Sequence, residues 1–228
     1  MTNDQMTNDQ VQTTKYRYRL TFRKGYRVKY VAHLDTVKMW TRAFRRAEIP
    51  LAYSGGFNPQ AKIQIAASLP VGSMGAAEVM DIYLTREMNP KDILTRVGST
   101  LPPDFALLRV ESVDLKAPAL QAQLRRADYK VIVTSNLPAQ TLQKRINALL
   151  QAETLPQTRI RRRKTERFDM RPLLHSLNLL TSTQNEATLT MRLSAGQQGN
   201  LRPDAVLKAL QLDDGWRQTE RTKLIFNI

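Results

Sequence analysis

YRVKYVAHLDTVKMWTRAFRRAEIPLAYSGGFNPQAKIQIAASLP, residues 26–70, is the stretch around which this chain is organised. Its apolar residues recur at helical spacing and predict an amphipathic helix, with a buried stripe of Leu34, Val37, Trp40, Phe44 and Ala47. The opposite side of that helix is basic and carries Lys38, Arg42, Arg45 and Arg46. We expect the helix to end before Pro50, because proline disfavours helical geometry in the preceding residue.

Residues 15–23, ahead of this helix, alternate strictly between two kinds of side chain. One set is apolar or aromatic and consists of Tyr16, Tyr18, Leu20 and Phe22. The other set is polar and contains Arg17, Arg19, Thr21 and Arg23. Because successive side chains of a strand point to opposite faces, the pattern predicts a strand with one buried and one basic face.

The segment SGGFNP, residues 54–59, predicts a sharp loop after the helix. Its glycines, Gly56 among them, allow positive φ and close approach of backbone N–H groups to a ligand. In the binding interpretation the loop cradles a phosphate, with side-chain contacts from Ser54, Asn58 and Lys62, and Gly56 and Phe57 also contact the nucleic acid. In the structural interpretation it only connects helix to strand, and Phe57 plugs the edge of the core. The loop is not a Walker A motif, since GxxxxGK[ST] is missing.

The order of elements predicts an α+β protein with two tandem ferredoxin-like (βαββαβ) domains, each with its own antiparallel sheet. We expect a disordered leader over 1–14, a first domain over 15–116, a linker, and a second domain over 124–228. An inserted hairpin near 165–182 does not fit the repeat. In this topology both helices cover one face of each sheet, so the other face would display Arg17, Arg19 and Arg23.

Charge is the strongest compositional signal. Lys and Arg total 35 against 20 Asp and Glu, a formal net charge of +15, which suits an anionic polymer and predicts salt-sensitive association. The absence of cysteine excludes disulfides, thiolate zinc sites and cysteine-bound iron–sulfur clusters, and two histidines are too few for most all-histidine metal sites. We therefore expect no metal and no cofactor. With no signal peptide and no apolar run of about 20 residues, we expect a cytoplasmic protein that does not engage a membrane.

A second basic cluster lies in the C-terminal half. It predicts an exposed hairpin that grips phosphates and consists of Arg161, Arg162, Arg163, Lys164 and Arg171. We expect Asp169 to order Arg171 or nearby backbone rather than to act as a base. His175, in an apolar run, is predicted to be packed or at an edge, and Trp40 and Trp216 are predicted to anchor cores.

His33 precedes the predicted helix, whose N-terminal end favours an anion. It therefore has three interpretations: a contact to a phosphate or ribose, a general acid or base in metal-independent RNA cleavage, or a structural role in which His33 and Asp35 fix the helix start.

Several motifs resemble the radical-SAM-linked protein family, found beside or fused to B12-binding radical SAM proteins. The first match spans HLD, RAFRRAEIP, SGGFNP and SLPVG between His33 and Gly72. Downstream matches are Asp169-Met170-Arg171-Pro172, Arg202-Pro203-Asp204 and Arg221-Thr222. The resemblance implies a B12-binding radical SAM protein as partner.

Charge, inferred topology and resemblance together favour a non-catalytic, RNA-binding accessory module that works with a radical SAM enzyme. Two alternatives stay open. One is a metal-independent endoribonuclease on a tandem ferredoxin-like scaffold with His33 as its catalytic residue, and the other is a protein–protein adaptor for the radical SAM partner. The oligomeric state is not predicted.

Overall fold

The structure is a computed structural model that describes residues 16–161 and 164–227, and within 159–164 it describes no side chains. The predicted leader therefore lies outside the described residues. The first half comprises β1 (Tyr16–Lys24), α1 (His33–Arg46), β2 (Ile63–Ile65), β3 (Ser73–Leu84), α2 (Pro90–Gly98) and β4 (Phe105–Val113). The second half comprises α3 (Leu120–Gln123), β5 (Leu124–Thr134), α4 (Ala139–Gln151), β6 (Pro156–Arg161), β7 (Lys164–Asp169), β8 (Leu174–Ser182), β9 (Glu186–Ser194), α5 (Pro203–Ala209) and β10 (Arg217–Phe226).

Local signals produce the elements of the first half as predicted, but the prediction that Leu34 belongs to the buried stripe of α1 is wrong, because this residue in the first turn is 71% exposed. Tyr18, Leu20 and Phe22 of β1 are buried and pack against α1. The Trp40 ring lies 5.0 Å from Phe22 and 5.5 Å from Phe44, centroid to centroid. These aromatic contacts fix α1 on the sheet, because a helix gains most of its stability from packing its apolar face.

The helix boundaries also follow local chemistry. Asn89 caps α2 by accepting a hydrogen bond from the Lys91 N–H at 2.9 Å, and Pro90 occupies the first turn. α1 stops at Arg46, one turn before Pro50, and Glu48 adopts a φ of +53° as the chain leaves the helix. The predicted end of α1 before Pro50 is confirmed.

The strands form a mixed eight-stranded sheet with the order β4-β1-β3-β10-β5-β9-β8. β2 pairs with residues 80–82 of β3, whereas β10 pairs with residues 73–75 of the same strand. All pairs are antiparallel except β3–β10, which is parallel over Ser73–Gly75 and Thr219–Arg221. An α+β protein with mostly antiparallel strands is thus confirmed. The prediction of a separate sheet for each half is wrong, because β3 and β10 join the halves edge to edge.

Two apolar cores lie on either side of this joint. The first is built around Trp40, Phe44 and Ile82, and the second around Val131, Leu142 and Leu189. The second core also takes in Ala66 and Val79 from the first half. The halves therefore share buried surface as well as a sheet.

The second half departs from the prediction in the position of its insertion. The hairpin β6–β7 pairs only with itself, outside the main sheet, and spans 156–169 rather than 165–182. Residues 174–182 instead form β8, the edge strand that pairs with β9. The residues of the basic run at 157–164 have the local pattern of a strand, but this pattern does not show which strand they pair with.

Trp216 is 53% exposed, so its prediction as a core anchor is wrong.

Candidate nucleic-acid interface

Arg17 and Arg19 do not lie on an open basic face. Both donate to the Asp81 carboxylate on the neighbouring strand β3, with N–O distances between 2.6 and 3.1 Å. Arg17 is 2% exposed and Asp81 is fully buried. The two arginines thus satisfy a buried acid in the fold, and their prediction as nucleic-acid ligands is wrong.

The linker between the halves covers this face of the sheet. Arg17 donates from Nη1 to the Ala117 carbonyl at 2.7 Å and from Nη2 to the Pro118 carbonyl at 3.0 Å. Gln121 then donates to the Ile65 carbonyl at 2.9 Å and ties the linker to β2. The expected uncovered face is therefore crossed by the chain itself. Arg23, further along β1, stays exposed.

The four cations predicted for α1 lie on its outer, solvent-facing side. All four are exposed: Lys38, Arg42, Arg45 and Arg46. Lys38 lies 3.6 Å from Asp35 in an exposed i,i+3 pair, which contributes little and leaves the cation accessible. Arg46 donates to the Thr100 carbonyl at 2.6 Å. We call these four residues the α1 row. Among the helices and strands whose side chains the structure describes, α1 has the densest array of exposed cations.

A groove of about 310 Å³ runs beside this row. Its walls are Asp35, Lys38, Met39, Arg42, Arg46 and Pro102. A groove lined by three cations and one acid favours a negatively charged occupant, because field lines concentrate in a concave basic surface.

The 54–60 loop projects from the sheet edge as a short hairpin. Ser54 and Gln60 close its base, with the Ser54 N–H donating to the Gln60 carbonyl at 2.9 Å and the Gln60 N–H donating to Ser54 Oγ at 3.0 Å. Gly56 has a φ of +100°, and no heavy atom lies within 4 Å of a Cβ built there. The tip thus stands clear of the described protein.

Phe57 at this tip is fully exposed, so the interpretation in which it plugs the core is wrong. Asn58 is exposed beside it, whereas Lys62 is half-buried and contacts other residues at the base. An aromatic ring held in solvent offers a surface on which a nucleobase can stack. The sequence also predicts that this loop and the α1 cations lie on one continuous surface near His33, and this stays a prediction.

Phe57→Ala should lower affinity for single-stranded RNA by about 1–3 kcal/mol, the value of one base stack. The melting temperature should stay unchanged, since the ring packs against nothing in the fold. Fluorescence anisotropy with a labelled oligonucleotide measures the first effect, and thermal unfolding the second. Leu108→Ala, which truncates another exposed apolar side chain on β4, serves as the control.

His33 is half-buried at the start of α1. It borders a cavity of about 20 Å³ that also touches Lys24, Thr36 and Glu78. This volume suits one water molecule. Helix α1 has Ala32 as its N-cap, without a side-chain cap, so His33 and Asp35 provide no capping hydrogen bond.

Glu78 and Arg221 form a buried ion pair where the two halves meet. Arg221 Nε donates to Glu78 Oε1 at 2.8 Å, and Nη2 donates to Oε2 and to the Ala67 carbonyl at 2.9 Å. Burial opposes the charged form of Arg221, but Glu78 outweighs it and raises the pKa of the guanidinium. Burial also lowers the pKa of Lys24, against the opposing effect of Glu78. This pair was not predicted from the sequence, because no local pattern links residues 143 positions apart.

Arg171 is likewise a structural residue and not a phosphate ligand. It donates to three carbonyls at 2.8–3.1 Å, those of Leu150, Ala152 and Leu174. Asp169 accepts the N–H groups of Leu155 and Arg171, which lower the pKa of its carboxyl group. The predicted ordering role of Asp169 is confirmed.

The remaining basic residues of the second cluster cannot be placed as ligands. Arg162 and Arg163 lie outside the described residues. The backbones of Arg161 and Lys164 pair with each other at the end of the β6–β7 hairpin, and their side chains fall outside the described ones. Their role in binding stays a prediction.

A family model covers most of the chain. The family described as "Uncharacterized protein conserved in bacteria (DUF2344)" matches residues 17–203. The chain belongs to this family. The match begins in β1 and ends at the first residue of α5, so the DUF2344 region includes strands of both halves but not β10. None of the curated proteins matches the chain.

Several solved structures are similar to this DUF2344 protein at low sequence identity. They include chains from a Cbf5-Nop10-Gar1 complex (TM-score 0.51, 10% identity, 91% of this chain and 48% of that one). A second comes from the archaeal box H/ACA sRNP Nop10-Cbf5 complex (TM-score 0.46, 9% identity, 90% of this chain and 47% of that one). A third comes from an H/ACA RNP bound to a substrate RNA containing 2′-deoxyuridine (TM-score 0.45, 13% identity, 93% of this chain and 48% of that one). The DUF2344 chain spans about half the length of each.

Across the part of the DUF2344 chain that the structure describes, no helix is long and apolar enough to cross a membrane. In the same part, no three His, Asp or Glu side chains converge as a group that could hold a metal ion.

Proposed function

We propose that this protein is a non-catalytic RNA-binding module. The observation that carries the proposal is the exposed basic row on α1 beside its groove. Cations held on a rigid helix can contact successive phosphates without a large loss of conformational entropy. Phosphate contacts supply most of the affinity of nucleic-acid-binding proteins.

The division of cations between fold and surface supports this proposal. Arg17, Arg19 and Arg221 neutralise buried acids, and Arg171 binds backbone carbonyls. These four residues have structural tasks that explain their presence. The α1 row has no comparable internal task, since only Lys38 and Arg46 make a described side-chain contact and both stay exposed.

The exposed ring of Phe57 favours single-stranded RNA over a duplex. A base inside a helix is stacked on its neighbours, whereas an unpaired base can stack on an aromatic side chain. In this proposal the α1 row holds the sugar–phosphate backbone and Phe57 contacts a base.

We also interpret the two halves as ferredoxin-like repeats. The first half has the strand order β4-β1-β3-β2, and the second has the equivalent order β10-β5-β9-β8 once the β6–β7 hairpin is set aside. The likeness to a chain of the Cbf5-Nop10-Gar1 complex supports the fold alone.

The proposed partner is a B12-binding radical SAM protein, to which the module would present RNA. This part rests on the sequence resemblance at His33–Gly72. Co-expression of the two proteins and size-exclusion chromatography with and without RNase separates a direct complex from one bridged by RNA. A complex that survives RNase and shows no RNA binding would favour the adaptor alternative instead.

The endoribonuclease alternative requires His33 within reach of a phosphodiester. The cavity beside His33 has room for about one water molecule, which argues against a scissile phosphate there. We therefore expect no cleavage of labelled RNA in EDTA. Products with cyclic phosphate ends that disappear in His33→Ala would establish the enzyme instead.

The RNA proposal is tested with the triple variant K38Q/R42Q/R45Q. For single strands, each lost phosphate contact reduces the slope of log K against log salt by about 0.7, so we expect a slope smaller by about 2 and an affinity on the order of 100-fold weaker at 0.1 M salt. The variant R86Q/K91Q/K116Q removes the same charge from exposed positions elsewhere and should change affinity far less. Equal losses in both variants, or wild-type binding that ignores salt, would contradict a specific α1 interface.

A further inference from the structure

A second cleft, of about 580 Å³, opens where the sheet of the second half meets the end of the chain described here. Its polar walls include Arg125, Arg126, His175 and Ser194, and its apolar walls include Leu173 and Phe226. No carboxylate belongs to its described lining. The volume lies within the range of small-molecule sites, roughly 300–1,000 Å³.

Positive charge is concentrated in this cleft. The Arg126 side chain is exposed and makes no hydrogen bond or ion pair with any described residue. The carboxylate of Asp128, on the same strand, is held by Arg192 through two bonds of 2.7 and 2.9 Å. An arginine without an acid partner among the described residues, in a cleft whose described lining has no carboxylate, is suited to an anion.

His175 and Ser194 add hydrogen-bonding groups beside Arg126. His175 Nε2 and Ser194 Oγ share a hydrogen bond of 2.8 Å. Ser194 lies directly opposite Arg126 in the β5–β9 register, so both groups project from neighbouring positions of adjacent strands. Burial, Arg126 and Arg192 together lower the pKa of His175, which is what a site with excess positive charge imposes on an imidazole.

Phe226 supplies an aromatic wall. Its ring lies 5.8 Å from the Arg19 guanidinium carbon, measured to the ring centroid. Arg19 is itself held by Asp81, and Phe226 also packs against the second core. The cleft thus combines a free arginine, a histidine–serine pair and a positioned aromatic ring.

We propose that this cleft binds a nucleoside monophosphate unit. Arg126 pairs with the phosphate, the His175–Ser194 pair hydrogen-bonds its oxygens, and Phe226 packs against the base. The unit is either a free nucleotide or the 5′-phosphorylated end of an RNA strand. This site is separate from the α1 row and does not depend on it.

The test measures binding of a labelled nucleoside 5′-monophosphate to the full chain, with the unphosphorylated nucleoside as competitor. Arg126→Gln should weaken binding by about 10- to 100-fold, the usual value of a charge-assisted arginine–phosphate contact. Lys130→Gln, exposed on the same strand, should leave affinity within twofold. Thermal unfolding confirms that both variants fold.

Competition then identifies the source of the ligand. The site is assigned to RNA ends if a 5′-phosphorylated oligonucleotide competes through Arg126 and its 5′-hydroxyl counterpart does not. If only the free nucleotide competes, the site is assigned to nucleotides. The proposal is overturned by no binding, by equal competition from the nucleoside, or by equal losses in Arg126→Gln and Lys130→Gln. K38Q/R42Q/R45Q should bind the monophosphate normally, so failure of the α1 interface is distinguishable from failure here.

Histidine NMR gives a second readout, because the chain has only two histidines. Bound phosphate should raise the pKa of His175, which faces Arg126 from β5 and Arg192 from β9, with Asp128 holding Arg192. The variant His33→Asn assigns the two histidine signals. An unchanged His175 titration at saturating ligand would overturn the placement of the phosphate.

Discussion

Replacing Asp81 with asparagine should lower the free energy of unfolding by about 3–5 kcal/mol. Asp81 accepts from Arg17 and Arg19 on β1, and both Asp81 and Arg17 are buried. The amide keeps the shape of the side chain but removes the charge that both guanidinium groups need. Arg17 would then be left in the protein interior without a counter-ion.

Urea unfolding followed by far-UV circular dichroism measures this loss. Glu111→Gln is the matched control, because Glu111 and its partner Arg109 are exposed at the edge strand and such pairs contribute about 0–1 kcal/mol. A loss below 1 kcal/mol in Asp81→Asn would show that the two arginines reach solvent or other acceptors, and that their assignment as structural residues is wrong.

Glu78→Gln should have an effect of similar size, about 3–5 kcal/mol, but at the joint between the halves. Arg221 is 3% exposed, and its carboxylate partner lies on the other half. The parallel pairing of β3 with β10 spans only three residue pairs, and the ion pair lies within this joint, since Arg221 itself pairs with Gly75. We therefore expect this variant to lose cooperativity between the halves as well as stability.

Two probes distinguish the unfolding of the first half from that of the whole chain: tryptophan fluorescence and total secondary structure. Trp40 is buried in the first core, and Trp216→Phe leaves it as the single tryptophan. In Glu78→Gln its fluorescence transition should no longer coincide with the transition of total secondary structure. Asp128→Asn, which removes a more exposed pair with Arg192 within the second half, should leave the transitions coincident. Coincident transitions in Glu78→Gln would contradict the role of this pair as the joint.

Gly75 offers an independent check of the same joint. A Cβ at this position would lie 2.5 Å from Glu78 Cγ, so alanine requires the Glu78 side chain to move. We expect Gly75→Ala to reproduce part of the Glu78→Gln phenotype without changing any charge.

The sequence by itself determined the elements whose cause is local. The alternation of Tyr18, Leu20 and Phe22 and the stripe through Trp40 and Phe44 specify which faces are buried, because strand and helix periods are properties of consecutive residues. Asn89-Pro90 specified the start of α2 for the same reason. The basic outer face of α1 followed directly from the position of its apolar stripe.

Only the tertiary structure decided which arginines are available to a ligand. Arg17 and Arg23 occupy equivalent positions of one alternating strand, yet the first is buried against Asp81 and the linker and the second is exposed. Asp81 lies 64 residues from Arg17, and Glu78 lies 143 residues from Arg221. Strand periodicity gives the face of a side chain but not the strand or linker that lies against it, because pairing and coverage depend on contacts between distant segments.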